Sequence, residues 1–552
     1  MKPHAHRLLV TAGAFIACAQ VWGAPVPSRS WECIPGVIRD DGTDGFRVTV
    51  RLDVPVVGVR FQEVSPRLIP PGPMPLNLRD DGKGGDPIAG DLVFTSGVFR
   101  YNPVYPMPIR YWNDALSPAG LDALDVGRLK VEVEPGVFND FLIGPSVGVL
   151  ASALPTVTTQ TLGPDVVACE YLVNLIRPYC ATQMFLHDLG DDMDGTVKAL
   201  FRAVPDAADF LVFFSTRKVE HVDRLARGNF DAGRQRSVRV DFTGTGRQPF
   251  DLSDYYGSRG RLQAIIALDV LNRGNYTGNL VHELTHHWSA YVDPLLGLTD
   301  GTGHYRPRSS VGSVLGGQRW LDVGGGSYRL DCTEGVNGAT HASPLDKYMM
   351  GLIGPDQVGP LHVYSDLSPS PRTLCGQPII DVTLTVPIQQ VQARHGERLP
   401  GPDRAQRSFR LGFVAESVNR ALTPVEFTYY QMLAEHVVRT LPPEQADPRM
   451  GFNWAPITRF FGEGTTWTAG VPRFFDMDGD LDVDHTDFGL VQACYTGTGR
   501  GPVPAECDAA DADRDRDVDA DDIILFQHCF TGPGITINIH CPFALRLTLP
   551  AR

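Results

Sequence analysis

The stretch Asn279-Leu-Val-His-Glu-Leu-Thr-His-His-Trp-Ser-Ala-Tyr-Val292 contains one H-E-x-x-H motif, formed by His282, Glu283 and His286. On an α-helix, residues four apart lie on the same face, so the two imidazoles can bind one metal ion while Glu283 lies beside it. No Gly or Pro interrupts the stretch, and its apolar positions follow a helical period: Leu280, Val281, Leu284, Trp288 and Tyr291. The stretch predicts a half-buried helix that carries a metal site.

A site of this kind has a definite chemistry. Zn²⁺ held by neutral imidazoles, with one coordination position open, lowers the pKa of its bound water to about 7. A carboxylate beside the metal, here Glu283, can take the proton of that water and pass it to a leaving amine. That is the chemistry of peptide-bond hydrolysis. The alternative is a chance match to the motif, which leaves a helix with two surface histidines.

The composition predicts a folded, multidomain, exported protein. The chain has 552 residues, 43% of them apolar, and its 57 Gly and 44 Pro indicate many turns and β-rich parts. Residues 1–24 combine Lys2 and Arg7 with an apolar run and small residues, which predicts a signal peptide and a product that is secreted or attached to the cell surface. No later apolar stretch reaches the length of about 18 residues that a membrane span needs.

The net charge of the chain excludes some classes of partner, and its cysteine content indicates an oxidising compartment. The net charge is −15, and removal of the two cationic residues of the leader takes it to −17. Such a surface repels nucleic acid and anionic membranes, so neither is an expected partner.

Of ten cysteines, nine remain after the leader, and in an exported chain they favour disulfides. Local pairing would join Cys169 with Cys180, Cys332 with Cys375, Cys494 with Cys507 and Cys529 with Cys541, and would leave Cys33 unpaired.

Residues 30–150 alternate short β-type runs with Gly, Pro and Asp clusters, for example Phe46–Leu52 and Val56–Phe61. Regularly spaced short strands of this kind predict a β-sandwich. A turn-like string that begins with Arg79-Asp-Asp-Gly82 contains further acids, including Asp86. Its carboxylates could bind Ca²⁺, although Asp-Gly turns are more often explained by their backbone alone.

From about residue 165 the pattern changes to that of an α/β domain, which we place at 165–465. Ala208–Ser215 and Leu262–Leu268 read as buried strands, and the metal helix follows the second after a short loop. A helical pattern runs from Pro424 to Val438. Strands followed by an H-E-x-x-H helix resemble the zincin metallopeptidases. That resemblance implies a zinc site with Glu283 as the general base.

Zincins need a third protein ligand, and the sequence leaves its identity open. The metzincin extension is absent, because Ser289 stands where its Gly would be and Val292 where its third His would be. His304, 18 residues after His286 in a Gly-rich loop that can fold back onto the helix, is the first candidate. The other candidates are acidic: Asp346 first, then Asp293 and Asp300.

The order of the blocks HELTHHW, GHY, SVLGGQRW and SPLDKYMMGL resembles a group of bacterial exported zincin-like proteins. The resemblance implies that His304 and Asp346 both matter, without assigning their roles. Tyr305 could stabilise an oxyanion, although a single Tyr is more often structural. His287 projects away from the ligand face of the helix.

Two acidic loops near the C-terminus repeat after 35 residues. In each loop, carboxylates alternate over 12 positions ahead of an apolar helix, as a hard, oxygen-seeking ion such as Ca²⁺ requires. The first loop carries Asp476, Asp478, Asp480, Asp482, Asp484 and Asp487, and the second carries Asp511, Asp513, Asp515, Asp517, Asp519 and Asp522. These acids would repel one another unless a cation lay between them.

The duplicated loop and helix, with Asp at position 12 and the tract Leu525-Phe-Gln-His-Cys-Phe-Thr-Gly-Pro-Gly534, resemble a type I dockerin over residues 471–541. One departure is loop position 6, where Leu481 and Arg516 replace the usual Gly; this would strain the loops and weaken binding. The resemblance implies a module that folds on Ca²⁺ and docks a scaffold protein bearing a cohesin. A disordered acidic tail is the alternative.

These patterns predict an N-terminal β-sandwich, a central α/β zincin-like metallopeptidase domain and a C-terminal α-helical dockerin-like calcium-binding module. The predicted activity is zinc-dependent hydrolysis of peptide bonds in a protein or peptide substrate. Two alternatives stay open: an adhesion or binding protein whose zincin-like domain has lost turnover, and a hydrolase of a non-peptide amide or ester. The intact Glu283 argues against the first, because a structural zinc site has no use for that carboxylate.

Overall fold

The computed structural model describes most of the chain between its two ends. The described residues are 29–105, 120–140, 144–187, 192–220, 233–269, 276–325, 327–330, 341–364, 378–379, 382–440, 457–462, 464–480, 482–501, 503–535, 537 and 541. The predicted signal peptide, Leu481, Cys332 and Cys375 therefore lie outside the described residues. Within these ranges, no helix has both the length and the apolar character needed to cross a bilayer.

Short strands and short helices make up the described chain. The strands are β1 (Arg29–Ile34), β2 (Val37–Arg39), β3 (Gly45–Leu52), β4 (Gly58–Val64), β5 (Leu68–Ile69), β6 (Leu76–Asn77), β7 (Val93–Thr95), β8 (Phe99–Tyr101), β9 (Leu121–Asp125), β10 (Gly127–Glu134), β11 (Val137–Asp140), β12 (Ser146–Leu150), β13 (Gln160–Gly163), β14 (Val166–Ala168), β15 (Leu172–Arg177), β16 (Phe210–Ser215), β17 (Arg217–Glu220), β18 (Gly233–Ser237), β19 (Arg239–Val240), β20 (Phe250–Asp251), β21 (Ala264–Leu268), β22 (Trp320–Gly324), β23 (Ser327–Leu330), β24 (Leu361–Tyr364), β25 (Pro378–Ile379), β26 (Val382–Val386), β27 (Ser408–Val418) and β28 (Thr466–Ala469). The helices are α1 (Ala181–Leu186), α2 (Met193–Phe201), α3 (Ser253–Tyr256), α4 (Tyr276–Thr285), α5 (Pro344–Met350), α6 (Ile388–His395), α7 (Pro424–Val438), α8 (Ile457–Phe461), α9 (His485–Ala493) and α10 (Ala520–Cys529).

The N-terminal region, β1 to β12, is built from sheets around one core. In β3 the side chains are buried at every second residue, the pattern of a strand with one face in a core. The sheet orders are β17-β1-β3-β8-β5 with β7 beside β3, β11-β10-β4-β6, and β2-β12-β9. Their shared core includes Trp31, Phe61 and Phe99. Because β17 pairs with β1, this region and the central region share a sheet.

An eight-stranded mixed sheet forms the centre of the molecule, in the order β13-β14-β15-β27-β16-β21-β18 with β28 beside β27. The neighbours from β15 to β21 run parallel, whereas β18 is an antiparallel edge. Every residue of β16 and β21 is buried, as expected for parallel strands covered on both faces. Both strands lie within the segments in which the sequence predicts buried strands.

Helices cover the two faces of the central sheet. Alternate residues of β16 enter two separate cores, one with α1 and α2 and the other with α4, α7 and α8. Helix α7 begins at Pro424, as its pattern predicts, because Thr423 and Glu426 form a capping box ahead of it. Helix α4 packs on β21 and on the edge strand β18. The H-E-x-x-H segment is thereby placed beside the antiparallel edge of the sheet.

The C-terminal region repeats a loop and a helix. Helices α9 and α10 each begin with the same capping box, Asp484 with Asp487 and Asp519 with Asp522. Their apolar faces meet in one core that contains Phe475. The carboxylates that end each acidic loop thus also start each helix.

Disulfides occur in the C-terminal region, where Cys494 pairs with Cys507 and Cys529 pairs with Cys541. Both pairs are among those that local spacing predicts. The predicted pairing of Cys169 with Cys180 is wrong, because both thiols are free and buried. The Sγ of Cys180 instead lies 2.7 Å from a serine hydroxyl of β16.

Candidate metal sites

Three histidine rings converge at the C-terminal end of α4. His282 lies in the last turn, and His286 follows the end of the helix, with its N–H still donating to the carbonyl of His282 at 3.3 Å. His304 reaches the same place from a later loop. The Nε2 atom of His282 lies 3.2 Å from Nε2 of His286 and 3.2 Å from Nε2 of His304. The structure therefore brings together the two motif histidines and the first candidate for a third ligand.

The loop that carries His304 is held against the helix by its own backbone. The N–H of Asp300 donates to the carbonyl of His304 at 3.1 Å, which closes the turn. Gly303 has a φ of 94°, and a Cβ at this position would lie 3.7 Å from the ring of His286. A glycine here accepts the left-handed backbone that the turn requires, while a Cβ at that distance would be in ordinary contact with the ring.

The hydrogen bonding of His282 leaves a lone pair at the centre of the cluster. Its Nδ1 lies 3.1 Å from the carbonyl oxygen of Val314, which can only accept, so Nδ1 carries the proton and Nε2 does not. A single lone pair cannot accept N–H groups from both His286 and His304 in good geometry. Two ring nitrogens bound to one tetrahedral Zn²⁺ at about 2.0–2.1 Å would lie about 3.3 Å apart. The observed spacing fits a shared zinc ion.

The rings are also in the protonation state that a metal needs. Burial, together with the neighbouring histidines, lowers the pKa of His282 to about 4 and that of His286 to about 3. Both side chains are therefore neutral at pH 7. Neutral imidazole is the form that donates a lone pair to Zn²⁺.

Glu283 lies beside the face of α4 that carries His282 and contacts strand β18. Its side chain is only 7% exposed. A Cβ on Gly233 would lie 2.8 Å from Cγ and 2.9 Å from Oε1 of Glu283, so the missing side chain of Gly233 makes room for the glutamate. The Glu283 charge adds to the effect of burial in raising the pKa of Tyr291. No sequence pattern marks Gly233, or the carbonyl of Val314, as part of the site.

The structure gives Asp346 a different role from that of the histidines. Its Oδ1 accepts the hydroxyl of Ser313 at 3.1 Å, and its Oδ2 accepts the N–H and the hydroxyl of Ser343 at 3.1 and 2.8 Å. Asp346 is fully buried and caps α5. By holding Ser313, it fixes the segment whose next residue, Val314, orients His282.

The other sequence candidates make structural contacts, and Asp293 also forms an ion pair with Arg394. Asp293 and Asp300 each accept the backbone N–H two residues ahead, at 2.8 and 2.7 Å. The Tyr305 hydroxyl accepts the N–H of Ala290 at 3.2 Å and is buried. His287 is buried as well, with Nδ1 at 3.1 Å from a serine hydroxyl of β18.

A cavity of about 690 Å³ borders the segment that orients His282. Ser310, Val311 and Gly312, which shortly precede Val314, form part of its wall. Four aromatic rings line it in two contacting pairs: Trp320 with Tyr364 (4.5 Å between centroids) and Tyr328 with His362 (4.7 Å). Lys347 adds a positive charge. The volume lies within the range of about 300–1,000 Å³ that is usual for ligand sites.

Each acidic loop in the C-terminal region closes on its own carboxylates. In the second loop, the N–H of Ala512 donates to Asp522 at 2.7 Å, and the same contact closes the first loop at 2.7 Å. Asp511 is fully buried, yet its Oδ1 has no hydrogen-bond partner, and Oδ1 of the buried Asp517 has none either. Buried carboxylate oxygens without donors are stabilised by a cation. The oxygen-only donor set of the loop fits Ca²⁺.

Two further features of the loops follow from their charge and backbone. Burial raises the pKa of Asp513 to about 6 and that of Asp522 to about 7, and neighbouring carboxylates add to both shifts. The loop is therefore under charge repulsion that a divalent ion would relieve.

Arg516, at loop position 6, has a φ of 81°, the left-handed conformation for which Gly is usual. The strain predicted at this position is thus present in the second loop.

The acidic turn of the N-terminal region is held by backbone contacts. Asp80 accepts the N–H groups of Gly90 and Asp91 at 2.7 and 3.1 Å, and Asp86 accepts that of Gly82 at 2.7 Å. These bonds are those of a turn whose carboxylates satisfy backbone donors. A carboxylate oxygen of each of Asp80, Asp86 and Asp91 also lies within 4.8 Å of the other two, so the turn has both features that the sequence predicts, backbone bonds and grouped carboxylates.

No protein-family model, curated protein or solved structure matches this chain. The side chains described above are therefore the basis on which its function is proposed.

Proposed function

We propose that the chain is an exported zinc-dependent metallopeptidase. The observation that carries the proposal is the cluster of Nε2 atoms of His282, His286 and His304, with the proton of His282 held on Nδ1 by Val314. Three imidazoles with a fourth position open are a ligand set of catalytic zinc. The buried Glu283 next to His282 supplies a general base, which a structural zinc site does not need.

Glu283 moves the proton in the proposed reaction. When bound, Zn²⁺ supplies a Lewis acid that lowers the pKa of water to about 7 and polarises a carbonyl group. Glu283 takes a proton from the attacking water as the water oxygen bonds to the carbonyl carbon of the scissile peptide. The C–N bond then breaks, and Glu283 delivers the proton to the leaving amine. The Val314 carbonyl keeps His282 in the tautomer that this chemistry requires.

The aromatic cavity suits a side chain of the peptide substrate. Its wall includes Ser310, Val311 and Gly312, which shortly precede Val314, the residue whose carbonyl orients His282. Contacting aromatic rings favour a large apolar or aromatic group, and charges of both signs line the same wall, Lys347 and Arg319 together with Asp322. We therefore propose this cavity as the specificity pocket.

The remaining regions are proposed to attach and support the enzyme. Residues 471–541 would bind two Ca²⁺ ions as a dockerin-like module and dock a scaffold protein bearing a cohesin. The buried, partnerless carboxylate oxygens of the second loop support calcium binding. The N-terminal sheets are proposed to form a β-sandwich packed on the zincin-like region.

Glu283→Gln tests the proposal. The variant keeps all three candidate ligands, so its zinc content should match that of the wild type, while hydrolysis of an unfolded protein substrate should fall by about 10²–10⁴. Glu435→Gln, which removes an exposed carboxyl from α7, is the matched control and should retain full activity. Undiminished turnover by Glu283→Gln would reject Glu283 as the base. A zinc-loaded wild type that cleaves esters but no peptide would favour the alternative hydrolase.

A further inference from the structure

We infer that the second calcium loop is also the surface that fixes the C-terminal module to the central region, so that Ca²⁺ controls this attachment. The inference rests on the proposed calcium binding and goes beyond it. The contacts join Asp508, Asp511 and Arg514 in and beside the loop to residues 204–206 and Arg259 of the central region.

Arg259 bridges two carboxylates at this interface. Its Nε lies 2.8 Å from Oδ1 of Asp508, and its Nη1 lies 2.5 Å from Oδ2 of Asp511. Both carboxylates are buried, at 1% and 0% exposure, so water does not screen the contact strongly. The backbone N–H of Asp206 also donates to Asp508, at 2.7 Å. A single arginine and one backbone amide thus hold two acids of the module.

The loop must be folded for these contacts to exist. Arg514 occupies loop position 4 with a φ of 69°, a left-handed conformation that is uncommon for a non-Gly residue, and its Nη2 donates to the carbonyl of Val204 at 2.8 Å. Opening the loop would turn this guanidinium away from the central region. The docking surface is therefore a product of the loop conformation.

Asp511 links the proposed ion to the interface. Its Oδ2 accepts from Arg259 and, at 3.1 Å, from the N–H of Arg516, while its buried Oδ1 has no hydrogen-bond partner. One carboxylate thus offers one oxygen to the central region and the other to a cation. Without the cation, the seven acids of the loop, Asp521 included, repel one another and the loop opens. Loss of Ca²⁺ would then release the module from the catalytic region.

Hydrogen exchange at the Asp206 amide tests this inference in the full chain. That amide belongs to the central region but is protected by Asp508 of the module, so it reports docking and not merely folding of the module. The amide of Asp209, which donates to the carbonyl of Arg410 at 2.9 Å within the central region, is the internal control. Both amides are followed by exchange and mass spectrometry with Zn²⁺ and Ca²⁺ present.

Two variants separate calcium binding from docking. The double variant Asp513→Asn/Asp515→Asn removes two proposed calcium ligands. It replaces the use of a chelator, which would also remove zinc. The variant Arg259→Ala removes the bridge to Asp508 and Asp511 and leaves every proposed calcium ligand in place. In both, exchange at Asp206 should rise at least about tenfold while Asp209 stays protected. Asp403→Asn, which removes an exposed carboxyl, should change neither amide.

The outcomes are distinct. Unchanged Asp206 exchange in both variants, or a rise in Arg259→Ala alone, would overturn calcium control of the attachment. Calcium titration of the wild type is run in parallel. If no Ca²⁺ binds, the proposal of a calcium-binding module is rejected. If Ca²⁺ binds but the substitutions in the second calcium loop do not change exchange at Asp206, calcium binding by the module stands and only this inference is rejected.

Discussion

Gly233→Ala tests whether Glu283 acts from the position that it holds in the structure. The added Cβ would lie 2.8 Å from Cγ of Glu283, whereas carbon atoms in contact prefer about 3.5–4.0 Å. The Glu283 side chain must therefore move by about 1 Å. A displacement of that size costs about 100-fold in rate, or about 2.7 kcal/mol of activation free energy. The histidine ligands are not displaced, so zinc should remain bound.

The assay is steady-state hydrolysis of a quenched fluorescent peptide that the wild type cleaves, with zinc content measured on the same samples. Gly233 does not have a left-handed backbone, so alanine should leave the fold intact, and the clash with Glu283 offsets the gain from a stiffer unfolded chain. Gly163→Ala, at the end of β13 in the same sheet, meets no atom within 4 Å and is the matched control. Adding Gly233→Ala to Glu283→Gln should cause little further loss, because the carboxylate that Gly233→Ala displaces is already absent.

Two results would refute the reasoning. A Gly233→Ala protein with full zinc content and wild-type kcat/KM would show that the position of Glu283 does not matter. Loss of zinc together with activity would show that Gly233 supports the ligands and not the base.

Other predictions concern the pocket, the buried acid beside the module and the disulfides. Trp320→Ala should raise KM for peptides with little change in kcat, as measured by steady-state kinetics, because it removes part of the aromatic wall of the cavity. Burial raises the pKa of Asp206 to about 6, so the folded state holds a proton that the unfolded state releases, and the free energy of unfolding falls as pH rises from about 4 to 6. Asp206→Asn should flatten that slope in urea unfolding followed across this window. Cys494→Ser/Cys507→Ser should lower the free energy of unfolding of the calcium-loaded module by about 3 kcal/mol, measured by denaturant titration.

Local patterns predicted the elements whose residues are close in sequence. The apolar positions Leu280, Val281 and Leu284 mark α4, but the prediction of one helix through Val292 is wrong, because α4 ends at Thr285 and Ala290 has a φ of 70°. The run from Pro424 to Val438 marks α7, because a helix buries one face at fixed spacing. The acidic loops near the C-terminus could be recognised because the oxygen ligands of one Ca²⁺ come from nearby positions of a single 12-residue loop. His304 could be proposed because a Gly-rich loop can fold back, but its register against the helix depends on contacts that are distant in sequence.

Long-range pairing and backbone groups could not be predicted. Strand β27 inserts between β15 and β16 although it comes more than two hundred residues after the former, and no local period encodes such a pairing. Val314 acts through its carbonyl and Gly233 through the absence of a side chain, so neither residue type signals its role. Cys180 lies near Cys169 in sequence, but its thiol is directed to β16.

The most direct test of the three-histidine site is X-ray absorption at the zinc edge of the purified full chain. The expected signal is one zinc per chain with three imidazole nitrogens and one oxygen at about 2.0–2.1 Å, and with one nitrogen fewer in His304→Ala. Sulfur ligands at about 2.3 Å, an unchanged nitrogen shell in His304→Ala, or no bound zinc would contradict it.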